Sequence, residues 1–189
     1  MIKRCSWADC SKLDYIEYHD NEWGVPIHDD NKIFEFLTLE SAQAGLSWYT
    51  ILRKRENYRA LFADFNPHEI VKFTNHDIEI LLKNPGIVRN RLKIESAINN
   101  AKMFIKIQSE FSSFDNYIWN FVEGKPIFNI NKDWKVTSKE SDIIAKDLKQ
   151  RGFKFLGSTI IYAHMQATGM VNDHALDCFR REEIINTYK

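Results

Sequence analysis

Four residues near the two ends of the chain carry metal-ligand chemistry. Cys5 and His19 lie near its start, His174 and Cys178 near its finish. The last two are spaced i and i+4, so on a helix both would project from one face, while the first pair would arrive from an irregular loop. Thiolate and imidazole together suit a tetrahedral zinc ion, and such an ion would clamp an irregular N-terminus onto a C-terminal helix. The same His-x-x-x-Cys spacing also fits a buried thiol beside a packed histidine, and spacing alone leaves both open. Cys10 is a spare thiol, and His28, His68, His76 and His164 have no matching partner pattern.

A second candidate is Glu40, at the head of Glu40-Ser41-Ala42-Gln43-Ala44-Gly45-Leu46-Ser47-Trp48. It follows an apolar run containing Ile33, Phe34, Phe36, Leu37 and Leu39, which predicts burial, and a buried carboxylate is costly unless it has a partner or a function. With Trp48 two turns further on, a carboxylate beside an aromatic face would suit a flat, cationic, hydrogen-bond-donating ligand. The competing expectation is a salt bridge to Arg53 or Lys54, or a helix cap. A third candidate runs from Asp77 to Ile94, where a short helix ends at Pro85-Gly86 and a second opens among Arg89, Arg91 and Lys93. Gly86 would let backbone N–H groups approach a phosphate, aided by the positive end of the next helix and the nearby cations. An ordinary hairpin of two helices with a solvated basic end fits the segment equally well.

The elements that must position these groups read as helical almost throughout. Phe114, Tyr117, Ile118, Phe121 and Val122 form one amphipathic stripe, and Ile94, Ala97, Ile98, Ala101 and Ile105 another. Thr137 with Glu140 predicts a capping box opening a helix over 142–150 that Gly152 closes, and Gly157 to Gly169 bracket a further helix. The stretch from Tyr15 to Asp30 is the least regular, with Pro26 in it. At 189 residues and 44% hydrophobic, the chain is expected to form a single domain over 1–189, in two lobes sharing one core. Lys+Arg 26 against Asp+Glu 26 gives no net charge, so a polyanion partner would have to be met by local positive charge. The absence of a membrane-length apolar run, the polar start Met1-Ile2-Lys3-Arg4-Cys5 and an odd count of 3 cysteines predict a cytoplasmic protein without disulfides. The 5 tryptophans exceed what a core of this size needs, which predicts that some face a ligand.

These constellations, in this order, occur with Tyr18-His19-Asp20-Asn21-Glu22-Trp23-Gly24-Val25-Pro26, with Arg151-Gly152-Phe153-Lys154-Phe155 and Gly157, and with Met165-Gln166-Ala167-x-Gly169-x-Val171-Asn172-Asp173-His174. From Cys5 to Cys178 the chain resembles the bacterial 3-methyladenine DNA glycosylase I family. The resemblance implies an all-α, helix-hairpin-helix glycosylase fold, with the hairpin at about 77–106 and one structural zinc per chain held by Cys5, His19, His174 and Cys178. It implies that Glu40, Tyr18 and Trp48 sit where the excised base binds, with Trp7 and Tyr15 as further walls, and that Gly45-Leu46 probes the duplex beside Gly86, Arg89 and Arg91. It implies a DNA repair enzyme, expected to act as a monomer, that flips 3-methyladenine from alkylated double-stranded DNA and releases it as free base. A monofunctional glycosylase is expected, because no lysine has a clear Schiff-base placement. The alternative is a non-catalytic, zinc-stapled DNA-binding module. Two features depart from related folds: Ile94 to Ala101 offers only Glu95 as an acid, where other helix-hairpin-helix glycosylases use an aspartate, and the tail 179–189 carries no matching motif.

Overall fold

The apolar spacing is realised as helix almost everywhere in the computed structural model, which describes residues 2–129 and 135–188. In chain order the helices are α1 (Leu13–Asn21), α2 (Asp30–Gln43), α3 (Trp48–Leu52), α4 (Arg55–Leu61), α5 (Pro67–Ile70), α6 (Asn75–Lys83), α7 (Arg91–Phe111), α8 (Phe114–Asn120), α9 (Lys139–Gln150), α10 (Ser158–Ala167) and α11 (Phe179–Asn186). Among the described residues the strands are β1 (Ile127–Phe128) and β2 (Val171–Asn172), paired in parallel with Ile127 opposite Val171.

The caps explain where the helices begin. Asp29, Ser47, Asn90 and Ser113 each accept a backbone N–H in the first turn of α2, α3, α7 and α8. Thr74 and Asp77 make a reciprocal capping box on α6. The expected box at Thr137 and Glu140 is instead made one residue later, by Ser138 and Ser141. Serine caps as well as threonine, and the helix that follows buries Ile144, Ala145 and Leu148 on one face.

Helix α2 runs through the middle of the core. Every residue from Ile33 to Ala42 is buried, and a helix buried on all sides must satisfy each polar group that it carries. It carries two carboxylates. Glu35 is met by Arg55 at 2.6 Å, Arg59 at 2.7 Å and Lys32 at 3.1 Å. Burial works against that charge, but the Arg55 hydrogen bond and charge overcome it and hold the Glu35 carboxyl below its ordinary range. Glu40, one and a half turns later, has no such cation. A second, smaller apolar cluster of Cys5, Tyr18, Trp23, Phe36, Ala167 and Cys178 joins the chain ends to the main core through Phe36.

The end of α10 is locked to the N-terminal segment by a contact that only glycine allows. Gly169 has φ +71°, and a Cβ there would lie 2.4 Å from the Pro26 backbone nitrogen. Gly169→Ala is expected to cost about 2 kcal/mol or more from left-handed strain and overpacking. Thermal unfolding should then show Tm lower by roughly 4–8 °C, for a chain of this size. An unchanged Tm would mean that the segment at Pro26 yields freely.

Candidate active site and metal centre

A cavity of about 480 Å³ opens between the N-terminal segment, α1, the end of α2, the start of α3 and α10. That is within the range of about 300–1,000 Å³ usual for small-molecule sites. Its walls are aromatic. The Trp7 ring lies 5.2 Å from Tyr15, 6.3 Å from Tyr18 and 4.9 Å from Trp23, and Tyr18 lies 5.5 Å from Trp48. Glu40 forms part of the same wall, so all five residues expected around a base come together. Sequence reasoning did not single out Trp23, Gln43 or Gln166, which line it as well. Three buried polar atoms on lining residues have no partner among the described residues: Nε1 of Trp7, Nε1 of Trp48 and Oε1 of Glu40. Buried polar groups are rarely left unpaired, so two donors and one acceptor at one cavity point to a ligand with complementary edges.

Glu40 is 3% exposed, and its one hydrogen bond comes from His164, whose Nδ1 lies 2.9 Å from Oε2. The salt bridge to Arg53 or Lys54 is not formed, since Lys54 reaches the Pro85 carbonyl at 2.7 Å instead. Burial pushes the Glu40 carboxyl up, and interaction with His164 offsets part of that rise. Burial, and then the charge of Glu40, push the Tyr18 hydroxyl well above its ordinary value, so it stays a neutral donor. His164 was set aside as a histidine without a partner. Its position inside the apolar run Ile160 to Met165 was the available signal, by the same argument that marked Glu40.

Cys5, His19, His174 and Cys178 are all buried, and their ligand atoms lie within 4.8 Å of one another. The elements differ from expectation. His19 sits on α1, whereas His174 and Cys178 flank a turn closed by Cys178 N–H on the Ala175 carbonyl at 2.8 Å, with Cys178 capping α11. A turn brings i and i+4 together as readily as a helix does. The donor set fits a metal. His174 donates Nε2–H to the Trp23 carbonyl at 3.0 Å and His19 donates Nδ1–H to Asp20 at 2.7 Å, which leaves the other ring nitrogens as lone pairs facing the sulfurs. Contact with Cys178, and then burial, push the Cys5 thiol up, while Cys5 and the two histidines pull Cys178 down. The pair thus shares negative charge that a cation would neutralise. The tail now has a role: buried Arg181 of α11 donates to the His174 carbonyl at 3.2 Å and to that of Asn129. The cluster also abuts the cavity, with Trp7 5.2 Å from His19 and Trp23 4.6 Å from His174.

At the mouth of the cavity α2 ends in a sharp tip. Gly45 has φ +81°, and Leu46, 43% exposed, donates its N–H to the Gln43 carbonyl at 2.6 Å. Lys93 of α7 clasps this end, bonding the Ala42 and Ala44 carbonyls at 2.8 and 2.6 Å. Lys93 is therefore a helix-end cap and not a free cation. In the hairpin between α6 and α7, Arg91 is tied to Glu79 and Glu95, while exposed Arg89 has no hydrogen bond or ion pair among the described residues. The Gly86 N–H is taken by Asn84 at 2.8 Å.

A sequence model described as methyladenine glycosylase matches residues 7–181. The chain belongs to the methyladenine glycosylase family. It is 44% identical over 180 residues to DNA-3-methyladenine glycosylase 1 of Escherichia coli K12, covering 94% of this chain and 96% of that protein. It is 43% identical to DNA-3-methyladenine glycosylase of Haemophilus influenzae, covering 94% and 97%. Among solved structures, a 3-methyladenine DNA glycosylase I matches with TM-score 0.90 at 47% identity, over 94% of this chain and 98% of the other. The Staphylococcus aureus enzyme, solved to explain its recognition of 3-methyladenine, matches with TM-score 0.90 at 37% identity over 94% and 96%. The mostly helical architecture expected from the sequence is thus that of the methyladenine glycosylase family.

Protein purified without chelator is expected to hold one metal ion per chain, and Cys178→Ser should lose it. Because metal-binding energy is folding energy at such a site, Tm should fall by more than about 5 °C. Elemental analysis finding no metal would contradict this account of the four ligands.

Proposed function

We propose that the chain flips 3-methyladenine out of alkylated duplex DNA and hydrolyses its N-glycosidic bond, leaving an abasic site. The observation that carries this is the aromatic cavity holding a buried carboxylate with one unpaired oxygen and, among the described residues, no lysine or arginine on its walls. N3-methylation leaves adenine cationic within the nucleotide. Expelling it as a neutral base needs less acid assistance than expelling adenine, and the sugar acquires oxocarbenium character. The lack of an aspartate after the hairpin accords with this. Glu95, the one acid there, is exposed and paired with Arg91.

Glu40 accepts hydrogen bonds from the exocyclic amine edge of the flipped base and favours its positive charge, Trp48 stacks on the ring, and Tyr18 fixes its orientation, with Trp7 and Tyr15 completing the walls. Negative charge at Glu40 would also stabilise the developing sugar cation electrostatically. Among the described residues no lysine lines the cavity, which supports the reading of a monofunctional glycosylase without lyase activity. Gly45-Leu46 enters the gap left by the flipped nucleotide, and in the hairpin Arg89 meets the phosphate backbone, beside Gly86, whose N–H is held by Asn84, and Arg91, which would exchange its glutamate partners for phosphate. Cys5, His19, His174 and Cys178 hold one zinc ion, whose chemistry with four protein ligands is structural, since no position is left open for water. Among the described residues no helix is long and apolar enough to cross a membrane. The reading is completed by a cytoplasmic location and action on DNA as a monomer.

Incubation with methylated DNA should release free 3-methyladenine, identified by mass spectrometry. Binding without base release would instead identify a DNA-binding module. Leu46→Ala should slow excision from duplex more than from single strands, because the wedge offsets an unstacking cost on the order of a few kcal/mol that single strands largely lack. Equal losses on both substrates would remove Leu46 from that role.

A further inference from the structure

Glu40 and His164 form a buried pair that is open on one side of each partner. His164 is 0% exposed on α10 and Glu40 3% exposed on α2, with Nδ1 and Oε2 at 2.9 Å. The outer atoms, Oε1 of Glu40 and Nε2 of His164, are buried and unpaired among the described residues. Among the described residues no other charged group makes a hydrogen bond or ion pair with this carboxylate. From α1 comes Tyr18, neutral, with Glu22 and Arg55 behind it, and Arg55 is occupied by Glu35 at 2.6 Å and Glu22 at 2.7 Å. From α3 comes Trp48, which carries no charge. Asp173, beyond β2, accepts hydrogen bonds from Tyr162 at 2.7 Å and Gln166 at 2.8 Å.

We propose that His164 is a positioning residue that turns Oε1 of Glu40 towards the base and keeps the carboxylate charged before a cationic base arrives. The inference rests on Glu40 being the base-recognising carboxylate. An Nδ1–H bond to Oε2 fixes the carboxylate plane, so that one oxygen alone is offered to the cavity, and a donor already in place spares the base from having to order the side chain itself. The same contact opposes burial, which by itself drives the carboxyl to take up a proton at higher pH. The direction of the effect is fixed. Recognition by charge is present above the Glu40 pKa and lost below it, so removing His164 must move the acid limb of binding upward. The two proteins should therefore converge as pH rises and diverge as it falls.

The experiment is calorimetric titration of 3-methyladenine into wild type, His164→Phe and His164→Asn between about pH 5.5 and about pH 8.5. The base's own protonation constant is measured separately and enters the fit for all three proteins, because charged and neutral Glu40 discriminate differently between the cationic and neutral base. At the alkaline end His164→Phe should bind within about threefold of wild type, and at the acid end the deficit should widen to about tenfold or more, the worth of one charge-assisted hydrogen bond. His164→Asn keeps a side-chain N–H donor near the same oxygen but on a shorter arm than the imidazole, so its acid limb should fall between the other two. It reads the same shift against wild type should the Phe variant not fold. A ratio constant across the pH range overturns the inference, and a uniform loss with lowered Tm does so by assigning His164 to packing. If wild type itself fails to bind 3-methyladenine, the reading of the pocket falls first, a result distinct from an unshifted profile.

Discussion

A carboxylate sealed from water at the end of a wholly buried helix sets the terms for everything around it. Glu35, five residues earlier on α2, shows what this fold does with a charge that it only needs to satisfy: three cations surround it. Glu40 receives a single imidazole and keeps one oxygen free. Burying an unpaired polar atom costs on the order of 1–3 kcal/mol, more when it is charged. Folding alone would have removed that cost with a neutral residue. Retaining it is the mark of a site that is complete only with a ligand bound.

The aromatic walls that shape this site are themselves held from outside. Trp7 and Trp23 stand between the cavity and the Cys5, His19, His174 and Cys178 cluster, each packing edge-on against one of its histidines. The Trp23 carbonyl also sets the tautomer of His174. In the proposed reading, a metal at the chain ends is what gives the irregular N-terminal segment a fixed surface, so a structural ion and a recognition pocket become one cooperative unit. Lys93 does comparable work at the C-terminal end of α2, clasping it so that Leu46 projects from a fixed base.

The residues that announced themselves in the sequence did so through conflict with their surroundings. Glu40 in an apolar run signalled burial with a purpose, and the Cys2His2 set signalled a clamp across the whole chain. The structure brings both sets together. Glu35 and His164 posed the same conflict but were passed over, because partners such as Arg55 and Glu40 lie 20 and 124 residues away and no local pattern reveals them. The elements that carry His174 and Cys178 were misplaced for a related reason: an i, i+4 spacing fixes proximity but not backbone conformation. The hairpin cations read alike in sequence, yet Lys93 caps a helix, Arg91 is paired with glutamates and Arg89 alone stands clear. Those fates depend on side-chain direction, which composition does not encode.

The central claim is that the charge of Glu40 distinguishes a cationic methylated base from neutral adenine. Glu40→Gln tests it most directly, because the amide oxygen can still accept from His164 while the negative charge is gone. Affinity for 3-methyladenine and melting temperature are measured on the same preparation. The account predicts affinity weaker by about tenfold, the difference between a charge-assisted and a neutral hydrogen bond, with Tm unchanged or higher because a buried charge has been removed. Lower Tm with intact affinity would contradict it and make Glu40 a structural residue.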